Sequence, residues 1–257
     1  MKLTLICLAT AILVTESAQA GDLLDFPIPD SPVVIPANSD LADADEFTIE
    51  DLIALYSKVT GQHCVMSAET QAYASNTPAT ALTGEDMTIA PERFQETFEA
   101  FLMVSNLVFT PLTADEPRLF TVNSLYTGAR STIKSLAMYL PPDRLDEAAA
   151  HPAILFTTVV NVPHTDVRQV TTSLRSMFPD PNTQQMLPVG NTHAIVLMGL
   201  GPNVVSFAQL LKVADEAEGR AHEERMRAHE ESKADESAET SQACDVSEAK
   251  GVRVAGA

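Results

Sequence analysis

The residues in this chain that come nearest to a cofactor site lie in AIVLMGLGPNVVSFAQLLKVAD, Ala194 to Asp215. A hydrophobic run, two glycines flanking one residue and an amphipathic segment form the layout in which a helix N-terminus cradles a phosphate. The dinucleotide fingerprint requires G-x-G-x-x-G after the first strand of a βαβ unit, with an acidic residue about 20 positions on. Gly199 and Gly201 supply two glycines, but Val204 stands where the third belongs. Pro202 takes a backbone N–H away from the helix start, and Asp215 falls within the same helix rather than after a following strand. The stretch therefore reads as a strand-to-helix turn. Its glycines would admit positive φ, and Pro202 would open the helix.

Metal and hydrolytic chemistry are served no better. His222 and His229 are seven residues apart, which sets them about 10 Å apart along one helical face. They do not converge on one ion as an i, i+4 pair can. With Glu223, Glu224, Glu230 and Glu231 beside them, the plainest reading is a solvated charged helix. Arg-Ala-His-Glu-Glu repeats at a spacing of seven, but the coiled-coil seam positions lack large aliphatic residues. Neither a G-x-S-x-G elbow nor an H-E-x-x-H helix occurs. His63, His164 and His193 lie beside strand ends or a helix cap, where a structural role is the default. The sequence thus predicts no catalytic residue, no cofactor and no metal site. For Cys64 and Cys244 a bridge, a buried thiol and a loose thiol all stay open.

Hydrophobic periodicity shows what surrounds these residues. Residues 21–46, rich in Pro, Asp and Ala, read as an extended leader. Ile49, Leu52, Ile53, Tyr56 and Val59 share one helical face, with Thr48 and Asp51 as a capping box and Gly61 as the stop. A short strand follows at His63–Met66, then a polar, turn-rich segment from Ser67 to Gly84, and another strand at Met87–Ile89. Pro91 opens a helix whose face is Phe94, Phe98, Phe101 and Leu102. Leu107–Thr110 and Arg118–Val122 form a hairpin. Residues 47–123 are thus a small α+β domain, and 124–153 a connector ending in a short helix.

The second domain, 154–218, reads β-α-β-β-α. A strand at Ile154–Val162 leads to a helix capped by Thr165, with Val167, Val170, Leu174 and Met177 or Phe178 on its apolar face. Pro179–Asn182 stops that helix. Strands at Gln184–Val189 and His193–Met198 flank a Gly190-Asn191 turn. A helix from Asn203 to Ala217 buries Val204, Phe207, Leu211 and Ala214. Residues 219–257 then read as a charged helical extension fading into disorder.

Bulk properties bound the function. Lys2, the apolar run Leu3–Val14 and Ala18-Gln19-Ala20 make residues 1–20 an export signal cut before Gly21. No later stretch could span a bilayer as a helix, which places the mature chain in the periplasm of a bacterial source. The formal charge of −19 argues against nucleic acid and anionic membrane, since both repel an acidic chain. The second domain's order is shared with KH-type RNA modules, but these clamp RNA with a G-x-x-G loop, and this chain has none.

Two runs resemble a known family. FTIEDLIALYSKVTGQHCVM…PERFQETFEAFLMVSNLVFTPL…RLFTV looks like the first periplasmic domain of bacterial secretins. TTVVNVPHTDVRQVTTSLRSMF…VGNTHAIVLMGLGPNVVSFAQLLKVAD is similar to the second type of domain in the same proteins, with Asn191, Ile195-Val196, Gly199 and Val213-Ala214-Asp215 in the family's places. The resemblance covers about Phe47 to Ala217. It implies a non-enzymatic assembly protein of a type II secretion or type IV pilus machine, with protein partners at the outer membrane and a ring of its own copies as one form. A secretin continues into a long channel-forming β domain. Here a charged tail follows instead, so pore formation is not implied. The alternative is a periplasmic module that binds or senses a ligand or metal.

Overall fold

The fold was analysed in a computed structural model that describes residues 23–37, 47–79, 85–126, 133–177 and 183–251. The export signal, the second part of the leader, Phe178 and the Pro179–Asn182 stop lie outside the described residues. The chain is α+β, as its pattern predicts. It divides into two units, one reaching Tyr139 and taking in Pro152–Ile154, the other formed by Leu140–His151 and the chain from Leu155 on.

In the first unit, helix α1 (Ile49–Thr60) starts at the predicted capping box. The Thr48 amide donates to Asp51 Oδ2 at 2.9 Å, and the Asp51 amide to Thr48 Oγ1 at 3.2 Å. Gly61 ends the helix at φ 72°, in the left-handed region that glycine tolerates. Strand β2 (His63–Val65) pairs in parallel with β5 (Leu119–Ser124), and β5 pairs antiparallel with β4 (Leu107–Pro111), giving the order β2-β5-β4. Between β2 and β3 (Met87–Ile89) the turn-rich reading missed a helix, α2 (Ala68–Ser75). It buries only Thr70 and Ala74 and so leaves no hydrophobic period, although Ser67 caps it by accepting from the Thr70 amide. A 3-10 turn at Pro91–Arg93 leads into α3 (Phe94–Val104).

Aromatic rings fill the core of this unit. Tyr56 stacks on Phe98 with centroids 4.0 Å apart, Phe109 on Phe120 at 5.0 Å, and Tyr56 meets Phe109 and Phe120 edge-on. The leader is not free of this core. Its strand β1 (Val33–Ile35) pairs antiparallel with β3, burying Val33 and Ile35, and Phe26 meets Phe109 edge-on at 5.7 Å. Three large apolar residues in a Pro- and Asp-rich stretch are too few for a periodic signal, yet enough to hold one short strand.

The second unit follows the predicted β-α-β-β-α order with β6 (Leu155–Asn161), α4 (Val167–Leu174), β7 (Gln185–Pro188), β8 (Ala194–Leu200) and α5 (Gly201–Gly251). Strand β8 lies between β6 and β7 and is antiparallel to both. Gly190, at φ 55°, makes the turn between β7 and β8. The cap of α4 is Asp166 rather than Thr165, its carboxylate accepting from the Arg168 and Gln169 amides. Thr165 is engaged elsewhere, as described below. Helix α5 buries Val204, Ala208, Leu211, Asp215 and Gly219 on one face, and it continues past Ala217 without a break.

Phe98→Ala removes the ring at the centre of the stack and is expected to lower the stability of the first unit by about 3–5 kcal/mol. Met226→Ala, on the exposed continuation of α5, should change stability by no more than about 0.5 kcal/mol. Urea titration followed by circular dichroism in the far and near ultraviolet reads both.

Candidate functional site

The stretch from Gly199 to Asp215 works by close packing. Gly199 lies in β8 and Gly201 opens α5, and positive φ among the described glycines is confined to Gly61 and Gly190. The expected conformational reason for this glycine pair is therefore overturned. A Cβ on Gly201 would come within 2.0 Å of the Ala148 carbonyl oxygen and 2.5 Å of that of His151. Helix α5 thus starts flush against the short 3-10 helix Leu145–Ala150, and only glycine allows the approach. The amide-rich corner where a phosphate would sit is filled by protein backbone.

At the far end of the same buried face Asp215 makes the second contact. Its Oδ1 accepts from the His164 amide at 2.8 Å, the Thr165 amide at 2.9 Å and the Thr165 hydroxyl at 2.9 Å. Asp215 is 7% exposed, so these donors replace water around its carboxylate. One turn further on, a Cβ on Gly219 would lie 3.0 Å from the His164 ring. The loop after β6 is thereby clamped to α5 by one carboxylate and one glycine. Asn191, in the β7–β8 turn, accepts from Arg168 Nη2 at 2.9 Å and ties that turn to α4.

The first unit has its own buried polar chain. The Tyr56 hydroxyl donates to Gln95 Oε1 at 2.7 Å, and Gln95 Nε2 donates to Glu99 Oε1 at 2.7 Å. Glu99 Oε2 accepts from the Ala153 amide at 3.3 Å. The Ala153 carbonyl takes the Phe109 amide at 2.9 Å, which closes the outer side of β4. Burial is the main cause that raises the Tyr56 hydroxyl far above the usual phenol range, and the nearby Glu99 carboxylate adds to it. Burial likewise pushes the Cys64 thiol up to about 12, so it stays protonated and unreactive at neutral pH. Sequence pattern did not reveal Glu99, because Phe98 and Leu102 frame it as part of an apolar face.

The histidines weighed from sequence are exposed: His63, His164, His193, His222 and His229. A cleft of about 380 Å³ brings His164 and Asp166 toward Glu218 and His222, and one of about 440 Å³ lies between His164 and His193. Among the described residues no three His, Cys, Asp or Glu side chains are grouped to hold a metal ion. A cleft of about 730 Å³ is in the first unit between Asp25–Ile28, Gly61, His63 and Glu116–Arg118. There Arg118 Nη1 donates to the Asp25 carbonyl at 2.6 Å, so its cation holds the leader segment in place. The surface is better equipped for backbone pairing. Among the described residues, strands β2 and β7 each pair on one side only. Val65 is 52% exposed on β2, and Leu187 is 48% exposed on β7.

No family model and no curated protein sequence matches this chain. Among solved structures it is similar to the crystal structure of the enterotoxigenic Escherichia coli GspC–GspD complex from the type II secretion system. That likeness has 11% identity and a TM-score of 0.25, and spans 72% of this chain and 99% of that one. The structure of XcpQN012 is also similar, with 11% identity and a TM-score of 0.22 over 72% of this chain and 65% of that one. At these scores neither likeness bears weight, and function has to be read from the chain's own residues.

Asp215→Ala leaves three buried donors without their acceptor and is expected to lower the stability of the second unit by about 2–4 kcal/mol. Asp215→Asn, which keeps an acceptor oxygen, should lose less in the same urea titration. The thiol offers an independent check, with Cys7→Ser and Cys244→Ser leaving Cys64 alone. At pH 8 it should react with Ellman's reagent at least about a hundredfold more slowly in the folded chain than in urea. Because the native thiol stays protonated where the unfolded one ionises, its contribution to stability is full below about pH 9 and falls as pH rises toward 12.

Proposed function

We propose that this chain is an exported, non-enzymatic interaction protein that works in or beside an outer-membrane secretion or pilus machine, as the secretin-like pattern of its two domains implies. The observation that carries this reading is the β-α-β-β-α unit closed by Asp215. Gly199, Ile195 and Asp215, which sit in the family's places, are buried, and Asn191 ties a turn to a helix. A shared pattern made of such residues is a pattern for building a rigid module. The module then offers strand edges and helix faces to protein partners. A ligand- or metal-binding module is the second reading. It has the open cleft beside His164 and His222 in its favour, but no converging ligand set among the described residues.

In a diderm bacterium that carries a secretin, the full chain with a C-terminal affinity tag is expected in the periplasmic fraction, with Gly21 as its first residue by N-terminal sequencing. Crosslinking in intact cells should yield a defined adduct with a secretin or with another component of its machine. Retention in the cytoplasm with Met1–Ala20 intact, or an export that gives no envelope adduct, sinks the proposal.

A further inference from the structure

The outer edge of β7 has an unusual composition for a surface strand. From Thr183 to Leu211 the chain contains no Asp, Glu, Lys or Arg, although the whole carries a formal charge of −19. Exposed edges are ordinarily blunted by charges, bulges or proline, because unpaired backbone invites another strand. Within the strand itself the device present is proline, at Pro188.

The backbone on offer follows from the ladder. The Val189 amide donates to the Ala194 carbonyl at 2.9 Å, next in register to Pro188 and Ile195. Facing residues alternate in an antiparallel pair, so Leu187 and Gln185 also turn their backbone toward β8. Met186 and Pro188 therefore turn theirs outward. Pro188 has a carbonyl to give but no N–H, whereas Met186 has both. A cleft of about 310 Å³ runs between Thr171 and Thr172 of α4, Arg175 just past its end, and residues 184–188. Gln184 Oε1 is buried there without a hydrogen-bond donor. Register also places Leu187, Val196 and Val159 on one face of the sheet, so an apolar strip adjoins the edge.

We infer that this edge receives the same edge of a second copy of this chain, β7 against β7 in antiparallel pairing about a two-fold axis at Met186. Each Met186 exchanges both backbone bonds with the partner's Met186, and each Gln184 amide donates to the carbonyl of the partner's Pro188. The pairing is self-complementary, as a two-fold contact must be. Charge selects this occupant. A basic partner would be drawn to the acidic surfaces, while two strongly acidic chains meet at least cost at a strand that carries no carboxylate and has the Arg175 cation beside it. The inference goes beyond the proposed function and does not depend on it.

Sedimentation equilibrium of the purified full chain at 0.05 M and 0.5 M salt provides the first reading. The mass should approach twice that of one chain with rising concentration, and salt should favour the pair by screening the remaining like charges. Met186→Cys, with Cys244→Ser, should form an intermolecular disulfide under mild oxidation, because directly opposed residues lie about 5.5 Å apart at Cα. Leu187→Cys should not, because its own copy lies beyond about 7 Å. Leu187→Glu, on an exposed position, should return the chain to a monomer with an unchanged far-ultraviolet spectrum. Without any substitution, the Met186 amide should gain protection from hydrogen exchange as concentration rises. A single-chain mass at every concentration and salt overturns the inference. So does equal crosslinking through both cysteines, or Met186 exchange that ignores concentration. None of these results touches the export and crosslinking test in cells, which asks about other proteins.

Discussion

One buried carboxylate sets the form of the second unit. Asp215 gathers two backbone amides and a hydroxyl from His164 and Thr165 on a single oxygen, so the loop after β6 has one place to go. The loop's position then fixes where α4 begins, because Asp166 and Val167 follow directly. At the other end of the buried helical face Gly201 lies against the carbonyls of Ala148 and His151. Two fixed points about three to four turns apart determine the axis of α5 over the sheet. Val204, Ala208 and Leu211 fill the space between them. Hydrophobic burial supplies the driving force, and the polar and glycine contacts select the register.

The same logic explains which features were legible in the sequence. Capping chemistry and periodicity are local, so Thr48, Asp51 and Gly61 bracket α1 where the structure has it, and the Phe94–Leu102 face lies on α3. Long-range partners leave no local trace. Thr165 has the composition of a cap, but its hydroxyl goes to a carboxylate 50 residues away, and Asp166 takes the capping role. Gly201 was legible as a required glycine but not the reason for it, since the approaching carbonyls belong to Ala148 and His151, far back in the chain. Helix α2 escaped because it buries two small residues and relies on contacts with α1. The candidate surface was the least legible part. The lack of charge between Thr183 and Leu211 can be read from sequence, but which backbone groups face outward depends on the register of β7 against β8.

Charge distribution joins these local facts to behaviour in solution. In the first unit Arg93 is paired with Glu96 and Arg118 is committed to the leader, in a chain whose formal charge is −19. Such a chain resists non-specific association. A strand without carboxylates is therefore a more informative place on this chain than it would be on a neutral protein.

The shifted groups follow from the same packing. Strongly shifted groups mark catalytic centres when they sit in a cleft beside a reacting partner. In this chain Tyr56 and Cys64 are shifted by burial within the first unit. Glu50 is held below the usual carboxylate range by hydrogen bonds from Ser75 and Gln71, and these bonds fasten α1 to α2. Glu147 is lowered by its bond to Arg144 at the start of the 3-10 helix that Gly201 abuts. Each shift therefore has a structural cause, burial for Tyr56 and Cys64 and hydrogen bonding for Glu50 and Glu147. What these groups stabilise is the packing of one element on the next. A strand edge can pair only if the strand behind it does not move.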